Sequence, residues 1–130
     1  MNIGDKNIFE LGELVFSCKK VIENEWDLLA VVYDAGEGYT ANSGFLYKKD
    51  KIRPISLSIE NNPLLLDDKI LEFRQKIYER CGQKFKQLLI QIEKENGRIK
   101  IEFEFDDSSR WTIKPAKLKE IREALKPQFD

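Results

Sequence analysis

The chain has no histidine. That removes the commonest general base, the commonest metal ligand and the usual activator of a serine or cysteine nucleophile. Cysteine is scarce as well. Cys18 and Cys81 are too few to make a metal site, and both fall on the apolar stripes of expected helices, which reads as two buried, reduced thiols. No apolar run approaches the roughly 18 residues that a membrane span requires. The opening Met1-Asn2-Ile3-Gly4-Asp5-Lys6 lacks the apolar core of a secretion signal, so the cytosol is the expected location and no membrane partner is expected. Glycine-rich phosphate loops, zinc spacings, nucleophile elbows and HExxH motifs are missing too. These absences favour a binding module over an enzyme, with neither cofactor nor metal expected.

What is present is a chain of 130 residues, 42% hydrophobic and 35% charged, enough for one globular domain over 1–130 with a well-solvated surface. The formal net charge of −1 makes no demand for nucleic acid as a partner. Its distribution is uneven. From Val21 to Tyr47 there are five acidic residues (Glu23, Glu25, Asp27, Asp34, Glu37) and no basic one, whereas Arg110 to Lys126 holds six basic residues against two acidic.

Hydrophobic spacing organises the chain. Ile8, Leu11, Val15, Cys18 and Ile22 recur at steps of three and four, predicting a helix from Asp5, a plausible N-cap, to Glu23. Gly12 in its middle implies that another element approaches closely there. Trp26–Asp34 is apolar on both faces, as in a central strand. Ala35-Gly36-Glu37-Gly38 then turns into a second strand, Tyr39–Lys48, where Gly44 invites a bulge or close backbone approach. Lys51–Ile59 alternates as a third strand, and Pro54 places it at a sheet edge. A second helix spans Asp68–Cys81, with Asp67 as its N-cap and Gly82 as its stop. Asn96-Gly97 predicts a tight two-residue hairpin that pairs Glu95 with Arg98, Ile92 with Ile101 and Ile90 with Phe103. A turn at Asp106-Asp107-Ser108 then sets Trp111 opposite Phe103 in a further strand, and Pro115 opens a last helix over Ala116–Lys126. The order αβββαβββα implies an α+β fold, an antiparallel sheet of about six strands with helices mainly on one face.

Three groups of residues invite a chemical reading. Asp106 and Asp107 beside Arg110 could hold a metal or act as acid and base, which would make a metal-dependent hydrolase, yet Asp-Asp-Ser-Ser is also ordinary turn chemistry. Tyr33, Tyr39, Phe45 and Tyr47 could stack bases, but their neighbours are acidic and sheet packing accounts for most of them. Tyr39 is the best candidate for an exposed contact. Lys114, Lys117, Lys119, Arg122 and Lys126 could make the last helix a nucleic-acid contact, giving a small accessory domain as the alternative function. Their spread around the polar arc, mixed with Glu120 and Glu123, fits a solvated face better.

Several runs carry a family likeness. Phe9-Glu10-Leu11-Gly12-Glu13, Glu25-Trp26-Asp27 entering a strand that ends Tyr33-Asp34, and Ser43-Gly44-Phe45-Leu46-Tyr47 resemble the YezG-type family of bacterial immunity proteins. So do Gln91-Ile92-Glu93, the Asn-Gly hairpin and Phe103-Glu104-Phe105-Asp106-Asp107. The stretch Asp106-Asp107-Ser108-Ser109-Arg110-Trp111, with Pro115-Ala116 and Leu125-Lys126-Pro127, is similar to versions found with contact-dependent growth inhibition toxins. The resemblance implies a cytosolic protein that binds and neutralises the C-terminal toxin domain, often a nuclease, of its cognate effector. It supplies no shared catalytic residues. The expected contacts therefore come from charge: a nuclease site is basic because it holds phosphates, so Asp34, Glu37 and Tyr39 on the first hairpin, with Asp106 and Asp107, are the expected partner-binding residues. Direct binding of nucleic acid is not expected.

Overall fold

The computed structural model describes residues 5–36, 39–59 and 61–129. Its elements are α1 (Asp5–Phe16), α2 (Lys19–Glu23), β1 (Leu28–Gly36), β2 (Tyr39–Lys48), β3 (Lys51–Ile55), α3 (Leu65–Cys81), β4 (Gln87–Glu93), β5 (Arg98–Glu104), a 3-10 turn at Pro115–Lys117 and α4 (Leu118–Leu125). The strands form one antiparallel sheet in the order β3-β2-β1-β4-β5. The α+β class and antiparallel sheet match the sequence reading, with five strands in place of about six.

β1 lies at the centre of the sheet. Its odd-numbered side chains Leu29, Val31, Tyr33 and Ala35 join a core formed with α1, α2 and α3. Its even-numbered Ala30 and Val32 join a second, smaller core with Phe45, Tyr47, Leu89, Trp111 and Leu125. The sheet is thus buried on both faces, as the doubly apolar Trp26–Asp34 run implied. Helices lie mainly on one face, and among the described residues α4 is the helix that covers the other, beside Trp111 and Ile113. It does so with Leu125 fully buried and Ile121 partly so, while Leu118 is exposed.

Four expectations are corrected. The first helix breaks at Ser17–Cys18, because Ser17 Oγ donates back to the Glu13 carbonyl at 2.9 Å and Cys18 is extended (φ −72°, ψ 138°). The break keeps Cys18 and Val21 inward and turns Ile22 out to solvent; the Asp5 side chain expected to cap this helix lies outside the described residues. β3 leaves the ladder after Ile55, where the Asn42 amide exchanges both bonds with the Leu57 backbone, at 2.6 and 3.1 Å. α3 starts at Leu65, so Asp67 is not its cap. Asp67 and Asp68 sit in its first turn, where they favour the helix dipole. Gly82 does end α3, left-handed at φ 76°.

The fourth correction concerns the C-terminal half. The β4–β5 hairpin turns through Lys94–Gly97 and pairs Glu93 with Arg98, Ile92 with Ile99 and Ile90 with Ile101, two residues away from the expected register. Residues 111–113 form no strand, and Trp111 and Ile113 pack on the opposite face from Phe103.

The two thiols also part company. Cys18 is fully buried, and burial raises its pKa to about 11, whereas Cys81 is exposed at the end of α3, contrary to expectation. A disulfide reagent at mildly alkaline pH should therefore titrate one of the two thiols in the native protein and both in denaturant. Immediate labelling of both without denaturant would contradict the buried position of Cys18.

Candidate functional site

The end of the sheet carrying the β1–β2 hairpin also carries the start of β4 and the end of β5. Asp34 lies opposite Gln87, and Gln87 opposite Glu104, so Asp34 and the acidic turn that follows Glu104 lie at one end of the sheet. Asp34 and Glu104 sit two strands apart, about 10 Å across the sheet.

Gln87 is the joint. It is fully buried, and its Nε2 donates to Asp34 Oδ1 at 2.6 Å and to Thr112 Oγ1 at 3.2 Å. Its Oε1 accepts the Trp111 backbone N–H at 2.9 Å. One side chain therefore ties the central strand to the segment that crosses onto the second face. That face is fixed again by Gln91 Nε2, which donates to the Leu125 carbonyl at 2.9 Å, and by the Tyr47 hydroxyl, which donates to the Arg122 carbonyl at 2.7 Å.

Glu104 organises the acidic turn. Its Oε2 accepts the backbone N–H of Asp106 (3.0 Å) and Asp107 (3.1 Å), and its Oε1 accepts Arg110 Nη1 at 2.9 Å. These bonds, the Asp107 and Asp106 amides foremost, hold its carboxyl below the ordinary carboxylate range. Asp107 closes the turn by accepting the Ser109 N–H and hydroxyl at 2.9 and 3.0 Å. Arg110 lies over the Trp111 ring, 4.7 Å from its centroid.

The expected residues take different roles in this frame. The Asp34 carboxylate is half-buried and bonded to Gln87, and that of Asp107 is bonded into its own turn. Asp106 is exposed, and its carboxylate makes no hydrogen bond or ion pair among the described residues. Its carbonyl accepts Lys86 Nζ at 3.1 Å. Tyr39 opens β2 opposite Gly36. Glu37 and the Tyr39 side chain lie outside the described residues. Basic groups share this end of the sheet: Arg74 reaches from α3 to the Gly36 and Phe85 carbonyls at 3.2 and 2.9 Å, and Lys86 and Arg110 flank the turn. The carboxylates are interleaved with cations, so the surface is patterned rather than uniformly acidic. Tyr33, Phe45 and Tyr47 are buried, as sheet packing requires.

Sequence reasoning passed over Gln87 and Glu104. A signal for Gln87 existed, since an amide at Gln87 and again at Gln91, inside an otherwise apolar strand, must find partners once both faces are covered. The Trp26-Asp27 pair that contributes to the family likeness acts structurally at the far end of the sheet. Trp26 Nε1 donates to the Val21 carbonyl at 3.1 Å, and Asp27 accepts Lys48 Nζ and the Lys49 N–H, both at 3.2 Å. Two open grooves of about 620 and 640 Å³ lie at that far end, lined by Lys48, Arg53, Glu25 and Glu93 among others. Both are shallow and of mixed charge, with no set of convergent polar groups such as a small-molecule site needs. No family model matches this chain, and no curated protein matches it.

Proposed function

We propose that this protein is an immunity protein. It binds the C-terminal toxin domain of a cognate contact-dependent growth inhibition effector, a nuclease by this reading, and neutralises it by occluding its basic active site. The observation that supports this reading is that Asp34 of the first hairpin and the Asp106-Asp107 turn share one end of the sheet, in a frame held by Gln87 and Glu104. A surface fixed before encounter loses little entropy on binding, and patterned charge selects one partner and speeds association. Asp106, Glu37 and Tyr39 form the contact, and Asp34 and Asp107 hold its shape.

The test is a titration against the toxin domain encoded beside this gene, with toxicity scored in cells that co-express the two. Asp106→Lys and Glu37→Lys should each weaken the complex about tenfold or more, mainly through slower association at low salt. Wild-type affinity in both variants would remove this surface from the interface. Failure of the wild-type protein to bind or protect would remove the function.

A further inference from the structure

The two edges of the sheet differ in how they are protected. β3 pairs with β2 over only five residues, includes Pro54, and presents exposed Lys51 and Arg53. β5 is seven residues long, without proline, and no described residue makes a backbone hydrogen bond to its outer edge. Its bonding phase follows from its neighbours. The Ala35 N–H donates to the Lys86 carbonyl and the Lys94 N–H to the Asp27 carbonyl, both at 3.0 Å, and both pairs continue the β1–β4 register. Even-numbered residues of β4 therefore bond to β1 and odd-numbered ones to β5. Across the next ladder, Arg98, Lys100, Glu102 and Glu104 bond inward. Ile99, Ile101 and Phe103 are left with N–H and C=O groups directed off the edge.

The β5 sequence, Arg98-Ile99-Lys100-Ile101-Glu102-Phe103-Glu104, is basic in its first half and acidic in its second. Laid antiparallel on a copy of itself about a two-fold axis at Ile101, it matches in every respect. Ile101 meets Ile101, Ile99 meets Phe103, Lys100 meets Glu102 and Arg98 meets Glu104. The three outward residues on each strand are then in the hydrogen-bonding phase, giving about six backbone bonds. The side chains of Lys100 and Glu102 make no hydrogen bond or ion pair among the described residues of a single chain, and this pairing supplies both with partners. Arg98 and Glu104 already hold Glu93 and Arg110, so the outer pairs extend existing ones. On the apolar face Ile99, Ile101 and Phe103 are only half-buried. Above them Gly12 of α1 faces Ile99, and Phe9, on the same helical stripe, is 68% exposed.

We propose that β5 is a self-association edge, on which a second copy of this chain pairs antiparallel about Ile101 to join two five-stranded sheets into one. The occupant is a second copy because the strand is complementary in charge to itself, residue by residue. The dimer edge touches the acidic end of the sheet through Glu104 alone, and the exposed Asp106 lies beyond the paired residues 98–104.

Sedimentation of the full chain from about 1 µM to about 500 µM tests this, with hydrogen exchange at both limits. A monomer–dimer equilibrium is expected, and the amides of Ile99, Ile101 and Phe103 should exchange more slowly at high concentration. Lys100→Glu or Glu102→Lys alone places like charges opposite each other at two symmetric positions and should weaken the dimer about tenfold or more. The double variant K100E/E102K recreates both pairs and should restore it. A wild-type chain that stays monomeric throughout, a dimer indifferent to the single changes, or a double variant as weak as the singles would each overturn the proposal.

Discussion

Gly44→Ala is expected to lower the unfolding free energy by about 3 kcal/mol, read as a fall in the urea midpoint at unchanged slope. Gly44 stands in β2 opposite Val31 of the central strand. A Cβ added there would overlap the Ala30 carbonyl oxygen and lie 2.7 Å from Val31 Cα and 2.8 Å from Val31 Cγ2. Two of these three neighbours are backbone of β1, which is held by ladders on both sides and cannot step back. The demand is for space, since Gly44 does not have a positive φ. Gly12→Ala is the control. There the new methyl meets the tip of the Ile99 side chain, which can change rotamer for about 0.5–1.5 kcal/mol. The helix meanwhile gains about 1 kcal/mol from the better propensity of alanine. The two nearly cancel, so Gly12→Ala should leave stability almost unchanged. A Gly44→Ala protein within about 0.5 kcal/mol of wild type would show that β1 and β2 are not so close there.

The contrast between those glycines shows what the sequence could convey. A glycine inside a helix or strand signals close approach, and at both positions that expectation holds. Whether the neighbour is rigid backbone or a mobile methyl depends on tertiary packing, which composition cannot encode. The hairpin error has a similar origin. A slip of one residue would have driven Ile90 and Ile92 to the other face, so alternation forbids it. A slip of two keeps every apolar side chain inward, and the pattern cannot see it. Local bonds decide instead. The four-residue turn sets Gly97 at φ 66°, and Arg98 forms a two-pronged pair with Glu93 at 2.9 and 2.8 Å while Asn96 donates to the same carboxylate at 2.7 Å.

The absent sixth strand and the candidate site are linked. Trp111-Thr112-Ile113 has the alternation of a strand but is short enough to satisfy either face of the sheet. The buried amide of Gln87 selects the second face by accepting the Trp111 N–H. Asp34 and the Asp106-Asp107 pair were both visible in the sequence. Their convergence was not, because it depends on β4 inserting between β1 and β5. The same strand order brings Asp34 within reach of Gln87, which turns one expected contact into a structural group.

Replacing Gln87 should therefore have the second large effect. Gln87→Leu preserves volume but leaves the Trp111 N–H and the Asp34 carboxylate without the partner they share. At about 1–3 kcal/mol for each stranded group, the expected loss is about 3 kcal/mol. Trp111 should loosen with it, giving a red-shifted fluorescence component before global unfolding. Gln87→Glu separates the electrostatic part from the packing part. The introduced carboxyl can still accept the Trp111 N–H, but it takes the place of the amide that donates to Asp34 at 2.6 Å. Burial and the neighbouring negative charge raise its folded-state pKa above the unfolded value of about 4.3. Protonated, it can donate to Asp34 much as the amide does; ionised, it cannot. The deficit of this variant should thus be small near pH 4 and grow as pH rises through the raised pKa toward about pH 7, the direction linkage requires for a group whose folded-state pKa is raised. A deficit that stayed flat across that window would mean that the Gln87 amide does not face Asp34, and the frame that holds the acidic end of the sheet would lose its central joint.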